Sequence, residues 1–490
     1  MENNKTENGF YQYSLQEDTI ETLDLLGYKE PTPIQKEAIP LLAAKRDVIA
    51  KAQTGSGKTA AFGIPICDDV IWEDNFPQAL ILEPARELAM QVQNELFQIG
   101  RNRRIKVPVV FGGMAINQEM ISLKQKSHIV VGTPGRVMDH IRRGTLVLTN
   151  IRYIVIDEAD LMLDMGFLEE VGTILQQVLE KVQVRPVIAL FSATIGEQLK
   201  SITNQYMQEP VEVIIEDETL VSQNVEQIVY RVENDDKFEA LIKLLILENP
   251  TECMIFADTR EMVNTLYNKL KRKKIRCGML HGGMEQKERL YSINDFRKAK
   301  FHYLVTTDVA ARGIDFEEIT HVINYDFPTK KENYVHRIGR TARNGKSGRA
   351  ISFVQKSEER YLKYVEDYME SKIAIGKIEE LELESKAQEN DFFQRQKEKI
   401  VIREGKEAVF KETITKLTIG GGKKSKMRPG DVVGAICSID GITQEDIGVI
   451  DVRDSLVYVE IMNGKGNVVV RELSKKTIKG KIRKIQVTNR

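Results

Sequence analysis

The stretch Ala52-Gln53-Thr54-Gly55-Ser56-Gly57-Lys58-Thr59 decides the fold. It lies between an apolar strand candidate at 47–50 and an apolar helix start at 60–64. A strand, a Gly-rich loop ending in Gly-Lys-Thr and a helix are the context a phosphate-binding loop requires. The glycines let backbone N–H groups turn inward, and these donors join the helix N-terminus in holding phosphate oxygens. Lys58 then reaches the β- and γ-phosphates, and the Thr59 hydroxyl is placed for Mg2+. The plainer alternative is a Gly-rich turn ahead of a helix. The complete Lys-Thr ending in this context favours phosphate. Thr54, Gly55, Ser56, Gly57, Lys58 and Thr59 are therefore candidate nucleotide contacts.

Composition bounds the rest. The 490 residues suffice for two to four domains. With 42% hydrophobic and 29% charged residues, the chain has the make-up of a globular protein that needs no membrane. Its apolar runs are short and interrupted, so no transmembrane helix is expected. The first eight residues are polar, with no secretory h-region. Cys67, Cys253, Cys277 and Cys437 are scattered singly and make neither a disulfide framework nor a zinc pattern. A reducing, cytoplasmic setting is expected. The net charge of −1 conceals an asymmetry. From Arg403 to Arg490 there are 18 Lys and Arg against 11 Asp and Glu, a net +7, which leaves −8 on the remainder. A basic tail on an acidic body suits either a polyanion-binding appendage or a solvated basic surface.

The first half alternates strand candidates (47–50, 79–83, 107–111, 128–132, 153–157, 187–192) with helical stretches such as 86–99 and 136–142. This alternation implies a parallel sheet with crossover helices. It starts again beyond residue 216, with strand candidates 227–232, 253–257, 276–280, 302–306, 321–324 and 349–353, and without clear internal sequence identity. Domains are expected at 1–215 and 216–376, then a charged helical or flexible linker at 377–402. The last domain, 403–490, reads as small and α+β, with strand candidates 414–420, 432–439, 447–452, 456–461, 467–472 and 484–487. One turn of helix is expected near 443–446.

A phosphate loop needs a partner carboxylate for its metal. Ile154-Val155-Ile156-Asp157-Glu158-Ala159-Asp160 supplies one at a strand end. Asp157 can hold Mg2+, and Glu158 can orient and deprotonate the attacking water. Acids at a strand end also serve as helix N-caps. Behind a phosphate loop the catalytic reading prevails.

Asp157-Glu158-Ala159-Asp160 spells DEAD, and the chain resembles a DEAD-box RNA helicase over about three quarters of its length. Gly27-Tyr28 with Pro31-Thr32-Pro33-Ile34-Gln35 resembles the adenine-reading Q motif, with Phe10 as its upstream aromatic. The amide of Gln35 has the donor and acceptor that an adenine edge asks for, and Tyr28 can stack on the base. The resemblance continues through Pro84-Ala85-Arg86-Glu87-Leu88-Ala89, Gly112-Gly113 and Thr133-Pro134-Gly135-Arg136, which imply RNA contacts in the first domain. Ser192-Ala193-Thr194 resembles the motif linking nucleotide state to domain closure. In the second domain, Arg260, Gln286, Arg289, Thr307, Gly313, Asp315 and the run His336-Arg337-Ile338-Gly339-Arg340-Thr341-Ala342-Arg343 complete the set. The resemblance implies two tandem RecA-like α/β domains, ATP and Mg2+ as cofactors, RNA at Arg260, Thr307 and Gly313, and the ribose at Asp315. DNA is not an expected partner. One departure is Ala85, where the family has Thr. The lost hydroxyl is worth about 0.5–1.5 kcal/mol, so activity should survive.

The acid pair and phosphate loop need further cations to offset charge developing on the γ-phosphoryl group. Arg340 and Arg343, three apart, are expected to project from one helix face as arginine fingers, with Arg337 orienting the closed interface. RNA across both domains and ATP between them would stabilise closure. The RNA motifs are rich in Arg and Gly, which suit phosphate and sugar better than bases.

The tail resembles the RNA-recognition-like (RRM-like) domain of the DbpA/YxiN subfamily. The resemblance rests on Gly420-Gly421-Gly422, Lys423-Lys424-Ser425-Lys426-Met427-Arg428, Asp446-Ile447-Gly448, Tyr458-Val459-Glu460-Ile461 and Thr477-Ile478-Lys479-Gly480-Lys481. It implies anchoring to 23S ribosomal RNA in large-subunit assembly particles. An RNA-recognition motif ordinarily stacks bases on sheet aromatics. Here the first strand carries Leu417-Thr418-Ile419, and Tyr458 is the lone aromatic nearby. Lys423, Lys424, Lys426 and Arg428 are better RNA candidates, with Lys475, Lys476, Lys479, Lys481, Arg483 and Lys484 behind them. The competing functions are a general cold-shock or mRNA-decay helicase and a nucleotide-gated RNA clamp.

Overall fold

The computed structural model describes residues 8–53, 55–215, 224–233, 236–311, 313–314, 316, 319–342, 346–377, 386–398, 400–403, 409–410 and 413–488. The chain divides into two compact units. One holds 1–53, 57–215 and 405–490, and the other holds 54–56 and 216–404.

The first unit is built on seven strands: β1 (Val48–Lys51), β2 (Ala79–Leu82), β3 (Val109–Val110), β4 (Ile129–Gly132), β5 (Tyr153–Ile156), β6 (Val187–Ser192) and β7 (Val211–Ile214). They pair in parallel in the order β3-β4-β2-β5-β6-β1-β7. The central strands are buried on both faces, as their near-continuous Val, Ile and Leu content demands. Alternate residues feed separate cores. Ala79, Ile81 and Val155 pack with Phe10, Ile39 and Phe62. Leu80, Leu82, Ile154 and Ile156 pack on the other face with Val137, Ile174 and Leu190. In register, Leu82 pairs with Ile156. The segments that leave β2 and β5, at Glu83 and Asp157, are therefore neighbours.

The second unit repeats this plan. Its strands are β8 (Val225–Arg231), β9 (Cys253–Phe256), β10 (Cys277–Leu280), β11 (Tyr303–Thr306), β12 (His321–Asn324), β13 (Gly348–Val354) and β14 (Ala374–Gly376). Their order, β10-β11-β9-β12-β13-β8-β14, is the same permutation as in the first sheet. Each sheet is thus a RecA-like parallel sheet, two in tandem. Within 377–402, the helix Lys386–Arg395 buries Phe392 completely against Tyr303, and Gln396 accepts the Arg276 N–H at 3.1 Å. That part of the expected linker is packed structure on the second unit.

The tail forms an antiparallel sheet from β15 (Thr415–Gly420), β16 (Ile447–Val452), β17 (Leu456–Ile461) and β20 (Ile485–Val487), ordered β16-β17-β15-β20. A hairpin, β18 (Thr477–Ile478) with β19 (Lys481–Ile482), precedes the last strand. Two expected strands are helices. Residues 432–439 lie largely in Pro429–Cys437, where Pro stands at N1 and Asp431 caps the Arg428 N–H at 2.8 Å. Val432 and Ile436, four apart, face the core. Residues 467–472 lie in Gly466–Leu473, whose Val469 and Leu473 bury on the same side. Both helices cover one face of the sheet, giving the strand–helix–strand–strand–helix–strand order of an RRM-like domain.

The tail packs on loops of the first RecA-like domain within the first unit. Arg101 is 4% exposed and pairs with Glu460 at 2.9 Å, between the rings of Phe97 and Phe410. Lys106 donates to the Ile450 carbonyl at 2.6 Å, and Gln125 to Asp451 at 3.2 Å. No described helix is long and apolar enough to cross a membrane.

Candidate nucleotide and RNA sites

In the first unit the candidate catalytic groups gather at the carboxyl ends of the strands, where ligands bind in open α/β sheets. Gly57 has φ +91°, and a Cβ there would stand 2.5 Å from Gln35 Nε2, so a side chain at this position is strained and displaces the Gln35 amide. Gln35 is 2% exposed. Its amide donates to the Gly57 carbonyl at 3.1 Å and accepts the Thr32 N–H at 3.0 Å, closing a capping box on the helix Pro33–Ala43. One donor and one acceptor of Gln35 are therefore committed to bracing the phosphate loop. Thr59 lies half-buried in the first turn of the helix Lys58–Asp69. Gly55 has φ +86°, as a tight phosphate turn needs. Thr54 lies outside the described residues.

Lys58 is 5% exposed and bonds Glu158 Oε1 at 2.8 Å, with Asp157 Oδ1 at 4.0 Å. Burial pulls its pKa down, but Glu158 and Asp157 outweigh that and push it up to about 12. Burial raises Asp157 to about 6, opposed by Lys58 and assisted by Glu158. Glu158 has φ +49° at the N-cap of the helix Ala159–Asp164. A left-handed non-glycine residue costs of order 1–3 kcal/mol and is a mark of functional sites. Asp160 accepts from the Thr194 N–H at 3.0 Å and from its hydroxyl at 3.2 Å. The Asp160 N–H in turn donates to Ser192 Oγ at 3.2 Å. The Ser-Ala-Thr segment is thus tied directly to the acid motif.

Phe10 is completely buried and meets Tyr28 edge-on, ring centroids 6.1 Å apart. The expectation of a direct nucleotide contact at Phe10 is corrected: its ring has no free face and backs Tyr28 instead. Tyr28 remains half-buried, its hydroxyl 3.2 Å from Glu95.

Two expectations in the second unit also change. The helix Lys331–Ile338 ends at Gly339, so Arg340 follows the helix and stands on no helical face. Arg340 donates to the Ile314 carbonyl at 2.9 Å and the His336 carbonyl at 3.3 Å. Arg343 and Asp315 lie outside the described residues. Arg337 is 2% exposed, and all five of its N–H groups are used. They reach Asp308 (2.5 and 2.8 Å), Asp258 (3.0 Å), Asn324 (3.3 Å) and the Asp326 carbonyl (2.7 Å). It is a clasp inside the second unit, with no donor left for a closing interface.

The first-domain RNA candidates cluster. A Cβ on Gly113 (φ +93°) would stand 2.6 Å from Arg86 Nη1, and Gly112 is similarly close to Arg86. Arg136 bonds Glu119 at 2.7 Å and the Met114 carbonyl at 2.6 Å. Thr133 is the N-cap of the helix Pro134–Arg142, and Gly135 is exposed in its first turn. The organiser is Glu119, which no motif marked. It is 2% exposed and also accepts the Phe111 N–H at 3.0 Å and bonds His140 at 3.0 Å. Burial pushes its pKa up, but His140, the Phe111 N–H and Arg136 outweigh burial and hold it below the usual carboxylate range.

The second unit repeats this arrangement. Arg260 opens the helix Arg260–Arg272, and its guanidinium lies against Gly282 and Gly283. Gly282-Gly283-Met284 matches Gly112-Gly113-Met114, a short internal repeat that could have revealed the pair. Thr307 is buried just beyond β11, and Gly313 has φ +72°.

Ala85 occupies the N-cap of the helix Arg86–Ile99 and makes no side-chain cap. Ala85→Thr is expected to raise stability by about 1 kcal/mol and tighten RNA binding by about 2–10-fold. Thermal melting and RNA titration would check both effects.

In the tail, Lys423, Lys424, Lys426 and Arg428 are all exposed around the loop that precedes Pro429–Cys437. Leu417 and Ile419 are fully buried. The outward Thr418 pairs in register with Tyr458.

A paired phosphate loop and acid motif, two RecA-like sheets of identical order and Arg/Gly-lined candidate RNA segments define the class of nucleotide-driven nucleic-acid remodellers. Comparison with known proteins agrees. Residues 32–202 match the DEAD/DEAH box helicase family, 236–345 the helicase conserved C-terminal domain and 416–487 the DbpA RNA binding domain. The ATP-dependent RNA helicase DbpA of Bacillus subtilis is 45% identical over 98% of this chain and 99% of its own length. The helicase CshA of the same organism is 39% identical over 74% of this chain and 73% of its own length. Among solved structures, S. cerevisiae Dbp5 bound to RNA and ADP BeF3 superposes with TM-score 0.68 at 30% identity, covering 80% of this chain and all of that one. Mss116p bound to ssRNA and AMP-PNP gives 0.69 at 28%, covering 81% and 84%. The chain belongs to the DEAD-box ATP-dependent RNA helicases, with a DbpA-type RNA-binding domain at its C-terminal end.

Proposed function

We propose that this RNA helicase remodels 23S ribosomal RNA in large-subunit assembly particles, in the cytoplasm, with the tail as its anchor. The observation that carries this reading is the DbpA-type match over 416–487, where four exposed cations flank one loop. The full-length similarity supports it too, because CshA matches over about the length of the helicase core whereas DbpA of B. subtilis matches through the tail.

In the reaction, Lys58 and the loop around Gly57 hold the triphosphate. Buried carboxylates beside a phosphate loop suit a hard divalent cation, so Asp157 and Thr59 would hold Mg2+, which offsets phosphate charge. Glu158 orients and deprotonates water. Arg340 and Arg343 are supplied when the second domain closes, Asp315 meets the ribose and Tyr28 stacks on the base. RNA lies along Arg86, Gly112, Gly113, Thr133, Pro134, Gly135, Arg136, Arg260, Thr307 and Gly313. A strand bent by these contacts cannot stay in a duplex, so closure opens a short helix and hydrolysis resets the core.

Crosslinking in cells followed by mapping of bound RNA tests the target. Enrichment at one large-subunit hairpin is expected. Crosslinks spread over mRNAs would overturn the ribosomal reading in favour of a general helicase.

A further inference from the structure

Glu83 is the last residue before the Pro84-Ala85-Arg86 segment and is completely buried. Neither of its carboxylate oxygens hydrogen-bonds to any described residue. A buried carboxylate without partners is costly, and each such case calls for a reason. Its place supplies one. Strands β2 and β5 pair in register through Leu82 and Ile156, so Glu83 is the next rung, beside Asp157. The Asp157 N–H bonds the Leu82 carbonyl at 3.1 Å, which keeps the rung in step beyond the strand. Neighbours on parallel strands share a face. That face is the one shared by Ile81, Val155, Ala60 and Ala61, under the phosphate-loop helix. Asp157, Glu158 and Lys58 are the charges that act on Glu83.

Three carboxyl groups therefore share this closed space with one ammonium, and burial, then Asp157 and Glu158, push the Glu83 carboxyl well above its ordinary range. Lys58 is already engaged with Glu158. Among the described residues no three acids, imidazoles or thiols converge on one metal-sized point, so direct ligation by all three is not the arrangement. Mg2+ dehydrates reluctantly and keeps several waters, and groups that accept from such waters tune its affinity by about 10–100-fold. We infer that Glu83 is a positioning residue for the nucleotide-bound divalent cation, accepting from a water in that ion's shell alongside Asp157. The inference rests on the reading that Asp157 and Thr59 hold the ion.

The test is calorimetric binding of ADP to the full-length protein in excess Mg2+ and in excess chelator, with Mn2+ titrations followed by electron paramagnetic resonance. In Glu83→Gln the ratio of the two ADP affinities should fall about tenfold, and Mn2+ should bind correspondingly more weakly. ADP binding without metal should hold. Glu83→Ala should behave in the same way, and carries the test should the amide variant misfold. An unchanged ratio in a folded variant overturns the inference, including the case where both affinities drop together, as a purely structural role would produce. If Asp157→Asn also leaves the ratio unchanged, the reading of the metal site itself fails. If only the Glu83 variants leave it unchanged, Glu83 alone is excluded.

Discussion

Glu158→Gln is expected to lower RNA-stimulated ATP turnover by about 10²–10⁴-fold, the usual contribution of a positioned general base. Binding of ATP and RNA should stay within a few-fold of the parent. The amide keeps the shape of the side chain and its hydrogen bond to Lys58, now 2.8 Å away. It loses the ability to take a proton from water. Lys58 remains charged after the change. Glu158 is one of three acids, with Asp157 and Asp160, holding its pKa near 12, and even the ordinary lysine value lies far above neutral pH. The phosphate contact therefore survives while the proton acceptor does not. The left-handed backbone at Glu158, φ +49°, belongs to main-chain geometry and is retained. Steady-state hydrolysis with saturating RNA, beside equilibrium binding of ATP and RNA, separates the two effects. Turnover near the parent rate would remove Glu158 from the role.

Arg337→Ala is expected to destabilise the second unit by about 3–5 kcal/mol, the cost of removing one partner from a buried ionic network. Asp308 and Asp258 would lose the cation that neutralises them, and the Asp326 carbonyl would lose a donor. Arg337→Lys should recover only part of the loss, since an ammonium on a flexible stem cannot reproduce five planar N–H bonds. Urea unfolding followed by circular dichroism, with limited proteolysis to locate the weakened unit, reads the change. A variant that unfolds like the parent yet hydrolyses no ATP would show that Arg337 acts on the nucleotide directly.

These two residues also show where sequence reading succeeds and where it stops. The role proposed for Glu158 is legible because its signal is local: a strand end, two adjacent acids and a phosphate loop elsewhere in the chain leave little choice. Arg337, Arg340 and Arg343 look alike in sequence, three arginines in seven residues. The different surroundings of Arg337 and Arg340 depend on the Gly339 helix end and on Asp258 and Asp308 arriving from beyond other strands. Phe10 is another such case. Its place upstream of the Q motif resembles a ligand contact, and only packing reveals a ring enclosed on all sides. Glu119 carries no motif, and it becomes visible as an organiser only when Phe111, Arg136 and His140 converge on it.

The tail illustrates the same boundary for secondary structure. Val432-Val433-Gly434-Ala435-Ile436 and Val468-Val469-Val470 are β-branched runs with strand propensity. Both are helices, because burying residues four apart against the sheet outweighs a propensity difference of under 1 kcal/mol per residue.

By itself the sequence determined the phosphate loop, the acid motif, the doubled α/β architecture and the basic appendage, since each depends on residues close together in the chain or on short-period patterning. The tertiary structure alone decided which arginine is a clasp, which aromatic is core and why Glu83 stands beside Asp157. Those outcomes depend on strand register and on which buried charges meet, and residues distant in sequence carry no local mark of either.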